Sequence, residues 1–240
     1  MPSERRSVTA KTSYRYFPLV TALFVTTLIT SNIIAVKIVQ IGPLFLPAAV
    51  ILFPVAYIFG DVLTEVYGYG RARQVIWTGF FCNLIAVVAI WIGGFLPAAP
   101  FWTAGVYDSP QAAQQAYQAI LGFTPRLLVA SFVAYLAGEF LNAFVLAKLK
   151  VKTQGRFLWL RTITSTLVGQ GVDSLIFISI AFYGIFSPAD LRTAILSQWT
   201  FKVAYEILAT PLTYLVVGWL KRAEAEDFYD RDTNFNPVKY

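Results

Sequence analysis

The chain has 240 residues, of which 57% are hydrophobic and only 13% charged, and its mean hydropathy is +0.61. Soluble domains carry about 25% charged residues, so a soluble domain and a disordered chain are both excluded in favour of a polytopic membrane protein. The net charge of +6 does not point to nucleic acid, because the basic residues stand in short flanks of apolar runs, where the positive-inside rule puts them.

Six apolar segments approach the roughly 20 residues a helix needs to cross a bilayer. They are predicted at about 17–37, 46–66, 75–96, 126–147, 158–185 and 196–220. Residues 1–16 form a basic arm before them and 221–240 a tail after them. The first run is too long for the core of a cleaved signal peptide and no A-x-A site follows it, so it is expected to stay as an anchor. Arg5, Arg6, Lys11 and Arg15 precede it. Arg71 and Arg73 follow the second span, Lys148, Lys150, Lys152 and Arg156 the fourth, and Lys221, Arg222, Arg231 and Lys239 the sixth. The odd connections are nearly bare, so both termini are predicted in the cytoplasm. Pro54 and Pro211 stand inside the second and sixth spans, where each removes a backbone hydrogen bond and predicts a kink.

The third connection holds Ser109-Pro110, an N-cap followed by proline at the first helical position. Ala113, Ala116, Tyr117, Ile120 and Leu121 recur at helical spacing before Gly122. An amphipathic helix on the outer face follows, as an interfacial anchor or as a lid over a site.

Charge inside the spans is the informative feature: Asp61 and Glu65 in the second, Glu139 in the fourth, Asp173 in the fifth, Lys202 and Glu206 in the sixth. Arg161, near a span end, is read as snorkelling to the headgroups. A charge at a helix centre costs roughly 2.5–3.5 kcal/mol on the insertion scale, so these groups must face one another or a wet cavity. Asp61 and Glu65 share one helix face, and Lys202 and Glu206 are spaced to pair internally. Asn32, Asn83, Asn142, Gln170 and Gln198 add neutral partners. The alternative is that the polar groups only tie helices together.

Histidine is absent and Cys82 is the only cysteine. No metal site, cofactor or triad chemistry is expected, and an intramembrane enzyme is disfavoured. The halves 17–96 and 126–220 each hold three spans, with Asn32 and Lys37 echoing Asn142 and Lys148, and Asp61 echoing Asp173. An odd number of spans per half makes this an expected inverted repeat. Ala130, Ala134 and Gly138 form a small-residue row suited to close helix packing or to a homodimer.

Three stretches together resemble the queuosine precursor transporter family, also grouped as vitamin uptake transporters. They are Ser31-Asn32-Ile33-Ile34-Ala35-Val36-Lys37, then Phe53-Pro54 through Gly60-Asp61-Val62-Leu63-Thr64-Glu65-Val66-Tyr67-Gly68, then Gly169-Gln170-Gly171-Val172-Asp173-Ser174. Lys202-Val203-Ala204-Tyr205-Glu206 with Pro211 resembles its last helix. The resemblance implies an all-α, six-helix importer of the bacterial inner membrane. Its cargo would be 7-cyano-7-deazaguanine or the aminomethyl analogue, precursors of the tRNA nucleoside queuosine. It also implies a fold similar to the substrate-binding subunits of energy-coupling-factor transporters, which dock a partner through an alanine stripe. Here Thr26 stands four residues after Ala22 and the stripe is not evident. A capture subunit of a larger ATP-driven complex is the alternative function, and the chain itself has no P-loop.

A guanine edge offers two adjacent donors that one carboxylate can accept, a carbonyl acceptor and a stacking face. On that basis Glu65 or Asp173 is expected at the donor edge, Asn32, Gln170 or Lys202 at the carbonyl, and Tyr67 or Phe177 against the ring. Asp61 and Glu206 complete the expected substrate pocket and are the candidates for proton coupling.

Overall fold

The computed structural model describes residues 13–41, 44–122 and 125–238. Arg5, Arg6, Lys11 and Lys239 lie outside the described residues. In chain order the elements are α1 (Phe17–Ile34), β1 (Ile38–Ile41), β2 (Leu44–Pro47), a 3-10 turn (Ala48–Ile51), α2 (Phe53–Tyr67), α3 (Tyr69–Phe95), α4 (Pro110–Leu121), α5 (Pro125–Lys152), α6 (Leu158–Phe182) and α7 (Pro188–Glu224). Five helices, α1, α3, α5, α6 and α7, are long and apolar enough to cross a membrane. They carry large apolar side chains on the outside, among them Phe81, Ile85, Trp91, Leu208 (78% exposed) and Leu215 (70% exposed). Water would not tolerate a surface of this kind on a monomer, and lipid does. The protein is a polytopic helical membrane protein.

The second expected span differs most from its prediction. Its N-terminal third holds the end of β2, which closes an antiparallel β1–β2 hairpin of register Ile38↔Pro47 to Ile41↔Leu44, and then the 3-10 turn. The helix that remains has 15 residues, about 22 Å at 1.5 Å per residue. Pro54 lies in its first turn. A first-turn amide has no partner within the helix, so proline there starts the helix and does not kink it. Pro211, by contrast, is inside α7 as expected.

The outer connection folds as its sequence dictates. Ser109 Oγ accepts from the Ala112 amide at 3.2 Å and Pro110 opens α4. Gln114 Nε2 donates to Gly94 O at 2.8 Å and Tyr117 Oη to Ile90 O at 3.0 Å, fastening α4 to the end of α3. A second cap missing from the predicted boundaries, Ser187 accepting from the Asp190 amide, starts α7 eight residues before position 196.

Helices α5 and α6 make the closest crossing. Cβ atoms built at Gly138 and Gly169 would stand 2.8 Å from Asp173 Cβ and 2.7 Å from Asn142 Cβ, respectively. Ala130, Ala134 and Gly138 are all buried along α5. The small-residue row therefore serves contacts inside the chain.

Residues 225–238 return across the end of the bundle where α2 meets α3. The Phe228 amide donates to Val66 O at 3.2 Å, and the Tyr69 amide donates to the Asp230 carboxylate at 3.0 and 3.1 Å. Trp77 Nε1 reaches Pro237 O at 2.8 Å. Gly68, at φ 82°, permits this: a Cβ there would stand 2.2 Å from Phe228 Cδ1.

Candidate functional site

Polar side chains recur at one-turn spacing on the inner faces of three helices: Ser131, Tyr135, Glu139 and Asn142 on α5; Thr166, Gln170 and Asp173, followed by the aromatic Phe177, on α6; Gln198, Lys202, Glu206 and Thr210 on α7. Such spacing stacks side chains on one face of a helix, and the packing turns these faces toward each other. They enclose a chamber of about 480 Å³. Its walls include Asn32, Asn83, Glu139, Gln170, Asp173 and Lys202, with Ala56 of α2 and the ring of Phe177. An adjoining space of about 300 Å³ shares Asn32, Asn83, Phe177 and Phe182, and ends among Val36, Val87 and Leu127.

Within the chamber Asn32 Nδ2 donates to Asn83 Oδ1 at 3.1 Å, joining α1 to α3. Lys202 forms an ion pair with Asp173 across α7 and α6. Glu139 of α5 lies close enough to both to feel their charges. Tyr135 Oη donates to Ile76 O at 3.1 Å. Two carboxylates, one ammonium and several amides thus face a space within the about 300–1,000 Å³ range of small-molecule sites.

A family model described as a putative vitamin uptake transporter matches residues 47–216. A probable queuosine precursor transporter of Bacillus subtilis (strain 168) is 30% identical over 188 residues, 78% of each chain. The queuosine precursor transporter of Escherichia coli (strain K12) is 27% identical over 162 residues, 65% of each chain. One from Haemophilus influenzae is 27% identical over 139 residues, 57% of this chain and 52% of that one. The chain belongs to the vitamin uptake and queuosine precursor transporter family. It is a transporter and not an enzyme. No solved structure matches it.

Of the nine residues expected in this transporter's pocket, the chamber collects five: Asn32, Gln170, Asp173, Phe177 and Lys202. The other four lie beyond it, in two further layers. Asp61 and Glu206 sit together one helical turn past the chamber residues, and Asn142 Nδ2 donates to Asp61 Oδ1 at 3.2 Å. Glu206 is thus not the partner of Lys202.

Glu65 belongs to a third layer. Its Oε1 accepts from Arg161 Nη2 and Lys221 Nζ, each at 2.7 Å, with Lys150 Nζ at 3.7 Å. Glu65 is 0% and Arg161 1% exposed, so Arg161 does not snorkel. Lys150 also reaches Asp227 at 2.5 Å and Phe228 O at 2.7 Å, binding the returning tail into the cluster. Tyr67 stands beside this layer, its Oη donating to Glu224 Oε1 at 3.1 Å and its ring edge-on to Tyr14 and Phe17.

Asn83, Glu139, Tyr135 and Ser131 line the chamber but were absent from the expected pocket. The one-turn spacing of Ser131, Tyr135 and Glu139 along an otherwise apolar helix is the signal that marks them. No residue of α4 lines the chamber, so α4 serves as an anchor on α3 and its use as a lid has no support.

Proposed function

We propose that this transporter imports a queuosine precursor, 7-cyano-7-deazaguanine or its aminomethyl analogue, and that the chamber between α1, α3, α5, α6 and α7 is where the base binds. The observation that carries the reading is the meeting of Asp173, Glu139, Lys202, Gln170 and the Asn32–Asn83 pair around one space with Phe177 on its wall. A carboxylate of Asp173 or Glu139 accepts from the N1–H and exocyclic amine of the base. Lys202, Gln170 or Asn32 donates to its carbonyl, and Phe177 supplies an apolar face. The names of the similar bacterial proteins support the cargo.

In this reading the membrane is the bacterial inner membrane. The basic flanks place both termini and the Glu65 cluster on the cytoplasmic side. The chamber then opens outward past Asn32 and Phe182, and the Glu65 layer closes it inward. Helix α2 with its 3-10 turn, at about 2 Å per residue, reaches about 30 Å end to end and completes a sixth crossing. Three helices from each half line or approach the chamber, the placement of a site between inverted halves.

The test is direct binding of radiolabelled 7-cyano-7-deazaguanine to the purified transporter, in competition with guanine and with biotin. The deazaguanine is expected to bind, and biotin not to displace it. Asp173→Asn and Glu139→Gln are each expected to weaken binding about tenfold, the effect of losing one charge-assisted bond. Wild-type affinity in both variants, or equal displacement by biotin, overturns the reading.

A further inference from the structure

We propose that Asp61, Glu206 and Asn142 form a binding site for one monovalent cation, a proton or a sodium ion, directly beneath the chamber. The inference rests on the transport reading above and adds what drives transport.

Asp61 of α2 is 1% exposed and Glu206 of α7 is 0% exposed. Glu206 comes within hydrogen-bonding reach of Asp61. Ionised carboxylates only accept hydrogen bonds, so the two cannot satisfy each other without a cation between them. Among the described residues the one side-chain donor to the pair, Asn142 Nδ2, is spent on Asp61 Oδ1. Asp61 Oδ2, both carboxylate oxygens of Glu206 and Asn142 Oδ1 are all buried without a hydrogen-bond partner. Asn142 supplies the independent sign. It is an amide more than nine-tenths buried, fixed by its bond to Asp61, whose oxygen has nothing to accept. Carboxylates of α2 and α7 and the Asn142 amide of α5 meet here, with no further side-chain donor to the carboxylates among the described residues, which is the arrangement a cation requires.

The surrounding charges do not supply that cation. Glu65 approaches Asp61 from α2, Glu139 from α5 and Glu206 from α7, all acidic. Among the described residues, no lysine or arginine pairs with Asp61 or Glu206: Arg161 and Lys221 are taken by Glu65, Lys150 by Asp227, and Lys202 by Asp173.

Position gives the site its consequence. Glu206 lies four residues after Lys202, and Asn142 three after Glu139, so each is one turn deeper than a chamber wall residue. A cation therefore reaches the site through the chamber. Empty, the site holds two like charges that push α2 and α7 apart. Occupied, it lets them close. Pro211 lies five residues past Glu206 and leaves α7 without one backbone hydrogen bond there.

The experiment uses proteoliposomes and 7-cyano-7-deazaguanine, with an imposed pH gradient, an imposed sodium gradient, or neither. A tenfold gradient of the coupling ion is expected to drive about tenfold accumulation for one ion per substrate. The effective arm names the ion. Glu206→Gln is expected to exchange substrate across the membrane with no gradient imposed but to lose the accumulation. Indifference of the wild type to both gradients, with exchange intact, overturns the cation site. Failure of exchange in the wild type overturns the chamber reading. In that case, or if Glu206→Gln does not fold, thermal unfolding of the detergent-purified wild type in sodium against potassium chloride, at acid and neutral pH, decides separately. Stabilisation by sodium or by protons supports the site, and stability indifferent to both overturns it.

Discussion

Lys202 of α7 pairs with Asp173 of α6, although Glu206 stands one turn away on its own helix. The choice leaves Glu206 to Asp61 and puts the chamber's single ion pair on its wall, where Glu139 adds a second negative charge. Removing one member of a largely buried pair costs about 3–5 kcal/mol, because the partner stays behind uncompensated. Lys202→Met is expected to lose that much in thermal unfolding in detergent, and Asp173→Asn somewhat less, since Glu139 can still engage Lys202. The double variant should recover most of the stability yet bind no deazaguanine. Additive losses in the double variant would show that the pair carries no coupling.

The long apolar rods are legible in the sequence because lipid demands about 20 apolar residues whatever the neighbours. The cap at Ser109 is legible because it is local chemistry. Partner choice is not local. Glu65 has no basic residue near it in sequence, and Arg161 stands at a span end where snorkelling is the ordinary reading. Only the packing of α2 against α7, which in turn lies against α6, brings Arg161 and Lys221 to Glu65. The tail is harder still. Residues 225–238 show no periodicity, and several of their attachments run through backbone groups of α2, α3 and the tail itself, which carry no sequence signature. The hairpin is hidden for a different reason: its strands are only four residues each, and Leu46-Pro47 with the 3-10 turn continue the hydropathy of α2 and read as part of the same span.

Gly169 and Gly218 should respond oppositely to alanine. A Cβ at Gly169 meets Gly138 O at 2.7 Å and the Asn142 amide nitrogen at 3.0 Å, backbone atoms that cannot step aside. Forcing α5 and α6 apart is expected to cost about 1–3 kcal/mol and to displace Asn142 from Asp61. At Gly218 nothing lies within 4 Å, so alanine should be neutral or stabilising by up to about 1 kcal/mol through its helix preference. Thermal unfolding of the two variants checks this, and equal midpoints would refute the packing argument.

Gly68→Ala should release the tail. The substitution places a side chain in positive-φ extended backbone that only glycine adopts readily, at a cost of about 1–3 kcal/mol, and drives a methyl into the Phe228 ring. Opening by about 1.4 kcal/mol raises the exposed population tenfold, and cleavage of a transiently opened segment follows that population. Tryptic cutting at Arg231 is expected to accelerate about tenfold over the wild type. An unchanged rate would mean that the tail is held without the Gly68–Phe228 contact.

Two of the tail carboxylates, Asp227 and Asp230, should give stability opposite slopes with pH. Burial works to raise Asp227, but hydrogen bonds from Lys150 and Lys221 outweigh it and hold the carboxyl below its usual range. Its contribution is therefore present above the unfolded value and is lost as pH falls through the depressed one. Asp230 goes the other way. Burial raises it, only partly opposed by the Tyr69 amide and Thr233, so its contribution is complete below the unfolded value and is lost as pH rises through the raised one. Asp227→Asn should lower the unfolding midpoint at neutral pH and converge on the wild type in acid. Asp230→Asn, whose carboxamide oxygen can still accept from the Tyr69 amide, should exceed the wild type at neutral pH and converge on it in acid. Parallel curves for the two variants, followed by unfolding in detergent from acid to neutral pH, would remove the electrostatic account of how the tail is held.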